Sequence, residues 1–213
     1  MKLIILLFIF LILNTITPAQ VELSASMGID FVNSPSFYDY INQNFPAQGE
    51  IIEGFNASVI FSGEAGYMLS ESYQPAVEIG YLIYSYTSSS TIGQYEMAYN
   101  NLMLSLLSYY VVNGDGYNFK LGGGAGLRFF SGDESLPGTG ITKTYTSTGY
   151  GFLLRAEGNT LLGGNIYAKI GAQARYDLNG ESENNGAHLV NINENVNFNS
   201  LSIGLSLGVS YIF

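Results

Sequence analysis

The 213-residue chain contains no cysteine, which excludes disulfides and thiolate metal ligands. A single histidine, His188, leaves no ligand set for a transition-metal centre, and nothing in the sequence calls for a cofactor. Cations are scarce: seven Lys and Arg stand against seventeen Asp and Glu, for a net charge of −10. A nucleic-acid partner is excluded by that balance, because phosphate backbones need Lys and Arg. Long apolar runs are missing too, apart from the eleven residues Leu3 to Leu13. No repeat beyond a hairpin rhythm is visible, which argues against a solenoid or propeller.

That one apolar run follows Met1-Lys2 and leads to small residues at Thr17 and Ala19. A positive residue, a short apolar core and small residues before a cut make a secretory signal peptide over residues 1–19, cleaved after Ala19. The alternative is a membrane anchor, for which the run falls short of the ~20 residues a spanning helix needs. Residues 20–213 are then one domain, one unit more acidic once Lys2 is gone. With 17 Tyr and 13 Phe but only 11% charged residues, that domain is aromatic-rich and charge-poor.

The C-terminus carries the clearest pattern. Leu201, Ile203, Leu205, Leu207, Val209, Tyr211 and Phe213 alternate with Ser202, Gly204, Ser206, Gly208, Ser210 and Ile212. A period of two is a strand with one greasy and one small or polar face. Eight such segments follow one another: 21–32, 55–68, 76–86, 98–112, 117–130, 149–159, 165–176 and 199–213. Each reaches the ~9–11 residues a tilted strand needs to cross a bilayer. The fourth fits least well, because Leu102, Leu104 and Leu106 make its second face apolar. Connections alternate between short (69–75, 113–116, 160–164) and long and polar (33–54, 87–97, 131–148, 177–198). Short turns on one side and long loops on the other are the plan of an outer-membrane barrel, with both termini on the periplasmic, short-turn side.

Five cations, Lys120, Arg128, Arg155, Lys169 and Arg175, fall inside the segments on their more polar faces; Lys143 is assigned to a loop. Glu22, Asp30, Glu64, Glu78 and Glu157 are placed likewise. Five acids and five bases on one sparse face suit a narrow closed lumen, where unpaired ions cost several kcal/mol each. A solvated face is the plainer alternative. A turn centred near Gly163 predicts Glu157 opposite Lys169, and one near Glu71 predicts Glu64 opposite Glu78. Those two like charges require a cation between them, from Lys120, Arg128 or Arg155.

Gly122, Gly124 and Gly126 share the lumen face of the fifth segment. No helix pattern follows them, so room for large neighbours is a better reading than a phosphate-cradling loop. Tyr67, Tyr109, Tyr110, Tyr117, Tyr211 and Phe213 cluster toward the short-turn ends. Phe31, Phe55, Tyr81, Tyr84, Tyr86, Phe129, Tyr150 and Tyr176 cluster toward the loop ends, as interfacial girdles would.

Strands, turn rhythm and terminus together resemble the small eight-stranded outer-membrane barrels of the OmpA/OmpX-like type, over all of residues 20–213. The most specific element is the last strand. Leu205, Leu207, Val209, Tyr211 and Phe213 match the aromatic-ended signal recognised by the bacterial barrel-assembly machinery. Glycine-rich 121–127 is also similar to the family. The resemblance implies an all-β antiparallel up-and-down transmembrane barrel in the outer membrane of a Gram-negative cell envelope. It also implies a monomer whose partners are outer-membrane lipid and lipopolysaccharide.

The leading functional expectation is a non-enzymatic barrel that anchors and presents four acidic loops, whose partner the sequence does not name. Asp39, Glu50, Glu53, Asp133, Glu134, Glu181, Glu183 and Glu194 are the loop acids, and none has calcium-loop spacing. The second expectation is a narrow, porin-like small-solute channel. A soluble lipocalin-like binder, with the faces swapped, is the structural rival. An enzyme would have to rest on His188 in the last loop, with no partner visible, so no catalytic, cofactor-binding or metal-binding residue is assigned.

Overall fold

The computed structural model describes residues 20–45, 51–52, 54–90, 93–192 and 194–213. The leader 1–19 and the loop acids Glu50 and Glu53 lie outside them. Seven long strands come first: β1 (Val21–Asn33), β2 (Asn56–Tyr67), β3 (Tyr73–Ser90), β4 (Gly93–Gly114), β5 (Tyr117–Ser135), β6 (Thr142–Gly163) and β7 (Ile166–Leu178). Four two-residue strands, β8 (Glu183–Asn184), β9 (Ala187–His188), β10 (Val190–Asn191) and β11 (Glu194–Asn195), precede β12 (Ser200–Ile212). Each long strand pairs antiparallel with its sequence neighbours, and β1 pairs with β12. The ring is therefore a closed eight-stranded up-and-down barrel with no free edge through its body.

Period-two patterning decides which face points inward. Leu23, Met27, Ile29, Ile170, Leu205 and Leu207 all stand on the exterior, 46–68% exposed. Their neighbours Glu22, Asp30, Lys169 and Arg175 are buried inside. Gly122 leaves room for the Tyr109 ring and Gly124 for Leu107, while at Gly126 the backbone of β4 comes too close for any side chain. The expected space for neighbours is there, and β5 runs straight on through the glycines.

The turns are tight where the sequence places them. Gly116 and Gly164 adopt positive φ at the β4–β5 and β6–β7 turns, the region that glycine tolerates. At the other end three long loops are replaced by structure. β3 and β4 stay paired out to Ser90 and Gly93, and β5 and β6 to Ser135 and Thr142, so two hairpins project beyond the barrel. Lys143 accordingly lies in β6, exposed. The first loop folds into the ten-residue helix α1 (Pro35–Asn44), with Pro35 in its first turn. Pro there costs nothing, since its missing N–H would be unbonded anyway.

Tyr109 and Tyr84 are buried, on the inner rather than the girdle face of their strands. In β3, Tyr84 and Tyr86 continue the inward register of Glu78 and Leu82, so position near a strand end misassigned them. Tyr67, Tyr110, Tyr117, Tyr211 and Phe213 at one end, and Phe31, Tyr81, Phe129, Tyr150 and Tyr176 at the other, do face outward.

Candidate functional site

The lumen is the most built part of the molecule. Arg155, on the inward face of β6, places Nη1 between the two carboxylates of β2 and β3: it pairs with Glu78 and lies 3.2 Å from Glu64. Glu64 and Glu78 are directly opposed in the β2–β3 ladder, the register the sequence implies. Tyr109 donates to the same Glu64 oxygen at 2.8 Å. Lys169 Nζ sits 2.8 Å from Glu157, which is also 3.6 Å from Arg155. That contact spans β6 and β7, yet Lys169 is opposite Asn159 and Glu157 opposite Gly171. The ladder is centred near Gly164, one residue beyond the expected centre, so the two meet diagonally rather than as a direct pair.

Toward the long-hairpin end the chain of ions continues. Arg155 Nη2 donates to Gln173 Oε1 at 2.8 Å, and Gln173 Nε2 donates to Asp30. Arg175 bridges Asp30 and Asp177, each at 2.7 Å, and Arg128 Nε meets Asp177 at 2.5 Å. Gly151 and Gly204 are where a methyl would strike this network, at Arg128 and Asp177 and at Asp30 respectively. Toward the short-turn end Lys120 pairs with Glu22 at 2.5 Å.

All ten charged residues marked out from the sequence thus sit buried in one lumen. Sequence reasoning missed Asp177, placed at the start of a loop. Its signal was present: Gln173, Arg175 and Asp177 keep one two-residue frame beyond Tyr176. The spanning lumen therefore holds six carboxylates to five cations, and the expected parity is off by one.

Above the ions lies an aromatic layer. Phe37, Tyr38, Tyr40 and Ile41 of α1 pack down onto the inward side chains Tyr84, Tyr99, Phe130 and Phe198. The Phe130 and Phe198 rings stack at 4.1 Å, and Phe37 meets Tyr99 edge-on at 6.0 Å. Glu134, read from the sequence as a loop acid, is buried in this layer. It accepts hydrogen bonds from Tyr40 at 2.5 Å and Tyr95 at 3.1 Å. Burial, and then the Glu134 carboxylate, push the Tyr40 phenol above its ordinary pKa and hold it as a donor. Helix α1 is thus a plug, bonded to the wall through a carboxylate.

Two further regions complete the inventory. Leu205, Leu207, Val209, Tyr211 and Phe213 all face outward, with the Tyr211 and Phe213 rings 4.6 Å apart. His188 is exposed on β9, 3.9 Å from Glu181, with no relay behind it in the described residues. Among the described residues no three His, Asp or Glu side chains gather as a metal site requires.

No protein-family model matches the chain, and no curated protein is similar to it in sequence. Solved structures do match in fold. Neisserial surface protein A (NspA) superposes with a TM-score of 0.52 at 16% identity, covering 92% of this chain and 100% of that one. Ail, the attachment invasion locus protein of Yersinia pestis, crystallised with the heparin analogue sucrose octasulfate, superposes with a TM-score of 0.54 at 11% identity over 92% of this chain and all of Ail. The likeness is one of fold: this chain is a small eight-stranded antiparallel barrel of the kind those two proteins adopt.

Proposed function

We propose that the chain is a non-enzymatic barrel of the bacterial outer membrane, processed by cleavage after Ala19, that anchors and presents its long hairpins outside the cell. The observation that carries this reading is the filled interior. An eight-stranded barrel has space only for its own side chains, and here ions fill the middle while α1 corks one mouth. What is left for recognition is the outer surface of the β3–β4 and β5–β6 hairpins and of the β7–β12 connection. Both termini and the tight turns then face the periplasm, lipid and lipopolysaccharide surround the apolar belt, and the last strand serves as the assembly signal. Lys143 is the one described Lys or Arg outside the lumen. A sulfated polyanion of the kind crystallised with Ail is therefore a poor match for this acidic surface.

Because the chain has no cysteine, single introduced thiols report sidedness without background. Glu183→Cys, between β7 and β12, is expected to react on intact cells with a membrane-impermeant maleimide. Asp115→Cys, in the β4–β5 turn, is expected to react only after the cells are opened. The reverse pattern would overturn the assignment. The purified protein is expected to give no stable open steps in a planar bilayer; reproducible steps would restore the small-solute channel.

A further inference from the structure

The short-turn end of the lumen opens into a small cup of about 70 Å³, lined by Gln20, Glu22, Asn118, Lys120 and Tyr167 among others. Glu22 is only 4% exposed. Its Oε2 takes Lys120 Nζ at 2.5 Å and Gln74 Nε2 at 3.1 Å, while its Oε1 has no hydrogen-bond partner in the described residues. An unserved carboxylate oxygen in such a place is costly. Among the described residues Lys120 is the one cation in salt-bridge contact with Glu22, and it serves Oε2 only.

We propose that the partner of this free oxygen is the chain's own α-ammonium group, freed at Gln20 when the leader is removed and seated in this cup against Glu22. The inference rests on the reading that cleavage follows Ala19. Gln20 is already held at the mouth. Its carbonyl accepts from the Met68 N–H at 3.0 Å, and the next carbonyl, that of Val21, accepts from the Phe213 N–H at 2.9 Å. Gln20, exposed at the mouth just ahead of β1, and Glu22 both line the cup two residues apart, about 7 Å along the chain, a separation that a glutamate side chain and one hydrogen bond together bridge. An α-amino group is ordinarily protonated at neutral pH, with a pKa of about 7.7–8.0. Lys120, Tyr117 and Tyr167 also line the cup. Export thus supplies the partner of Glu22 Oε1, because this cation exists only after processing.

An N-terminal glutamine supplies its own control. Its α-nitrogen attacks its side-chain amide carbon; one C–N bond forms, the bond to the amide nitrogen breaks and ammonia leaves. The product is a neutral pyroglutamyl ring, with no change of oxidation state. The detergent-folded protein beginning at Gln20 is compared with the same protein after glutaminyl cyclase treatment, in the parent and in Glu22→Gln. Intact mass establishes the N-terminus of the exported protein. Cyclisation is expected to lower the unfolding midpoint of the parent by about 2–4 °C and to have no effect in Glu22→Gln. One glycine added ahead of Gln20 moves the ammonium out of the cup without touching Glu22, and the same loss is expected. Equal midpoints for the free and cyclised parent overturn the proposal, and so does a penalty that persists in Glu22→Gln. An exported chain that starts elsewhere overturns the cleavage reading itself.

Discussion

Arg155→Met is expected to destabilise the folded barrel by about 3–5 kcal/mol, the cost of leaving buried charges without their partner. Arg155 Nη1 is the group between Glu64 and Glu78, which the β2–β3 ladder forces together on one face. Lys169 does not replace it, being 3.9 Å from Glu64 and engaged with Glu157 at 2.8 Å. Methionine keeps most of the volume, so the loss reads charge rather than packing. Urea titration in detergent, followed by the mobility difference between folded and heated protein, measures it. Adding Glu64→Gln and Glu78→Gln to Arg155→Met is expected to recover most of the loss, because neutral amides do not repel. Equal stability of Arg155→Met and parent would show that water reaches the lumen and screens these ions.

Ile170→Arg is expected to cost about 2–4 kcal/mol in a lipid bilayer, the penalty for arginine near the midplane of a barrel's lipid face. Ile170 is 61% exposed in the middle of β7, opposite Leu207 on one side and Gly158 on the other. Its neighbour Lys169 carries a charge at the same depth without that penalty, since it points into the lumen. Folding yield into vesicles and urea midpoints for Ile170→Arg, Ile170→Ala and parent separate charge from lost side-chain volume. A soluble barrel would carry an arginine here at no cost.

Much of this architecture is legible in the sequence, and the reason is periodicity. Eight two-residue alternations give the strands, and glycine-rich turns give the connections. The Glu64–Glu78 register follows from a short turn that allows few alternatives. Legibility stops where inward residues cease to be polar. Tyr84, Phe130, Tyr145 and Phe198 face the interior at the corked end, so both faces of those strand ends read as apolar or mixed, and the projecting hairpins read as loops. Asp177 and Glu134 lie beyond the ends of the segments read from the sequence, although each keeps the frame of its strand: Arg128, Phe130, Gly132, Glu134 in β5, and Gln173, Arg175, Asp177 in β7. Helix α1 had a signal as well. Phe37, Tyr38, Tyr40 and Ile41 recur at helical spacing after Pro35, but the segment is short and sits among polar residues. Its partners are side chains from β3, β4, β5 and the β7–β12 connection, which a local pattern does not reveal.

The orientation of the two faces underlies every assignment above, and a nitroxide at Leu205 of the bilayer-reconstituted protein tests it most directly. Leu205 is 65% exposed at mid-strand in β12, with Gly204 and Ser206 turned inward beside it. The label is expected to report an apolar surrounding, quenched by dissolved oxygen and shielded from a water-soluble nickel chelate. A wet, polar environment reached freely by the chelate would contradict it, and the lumen, the plug and the apolar belt would all have to be turned inside out.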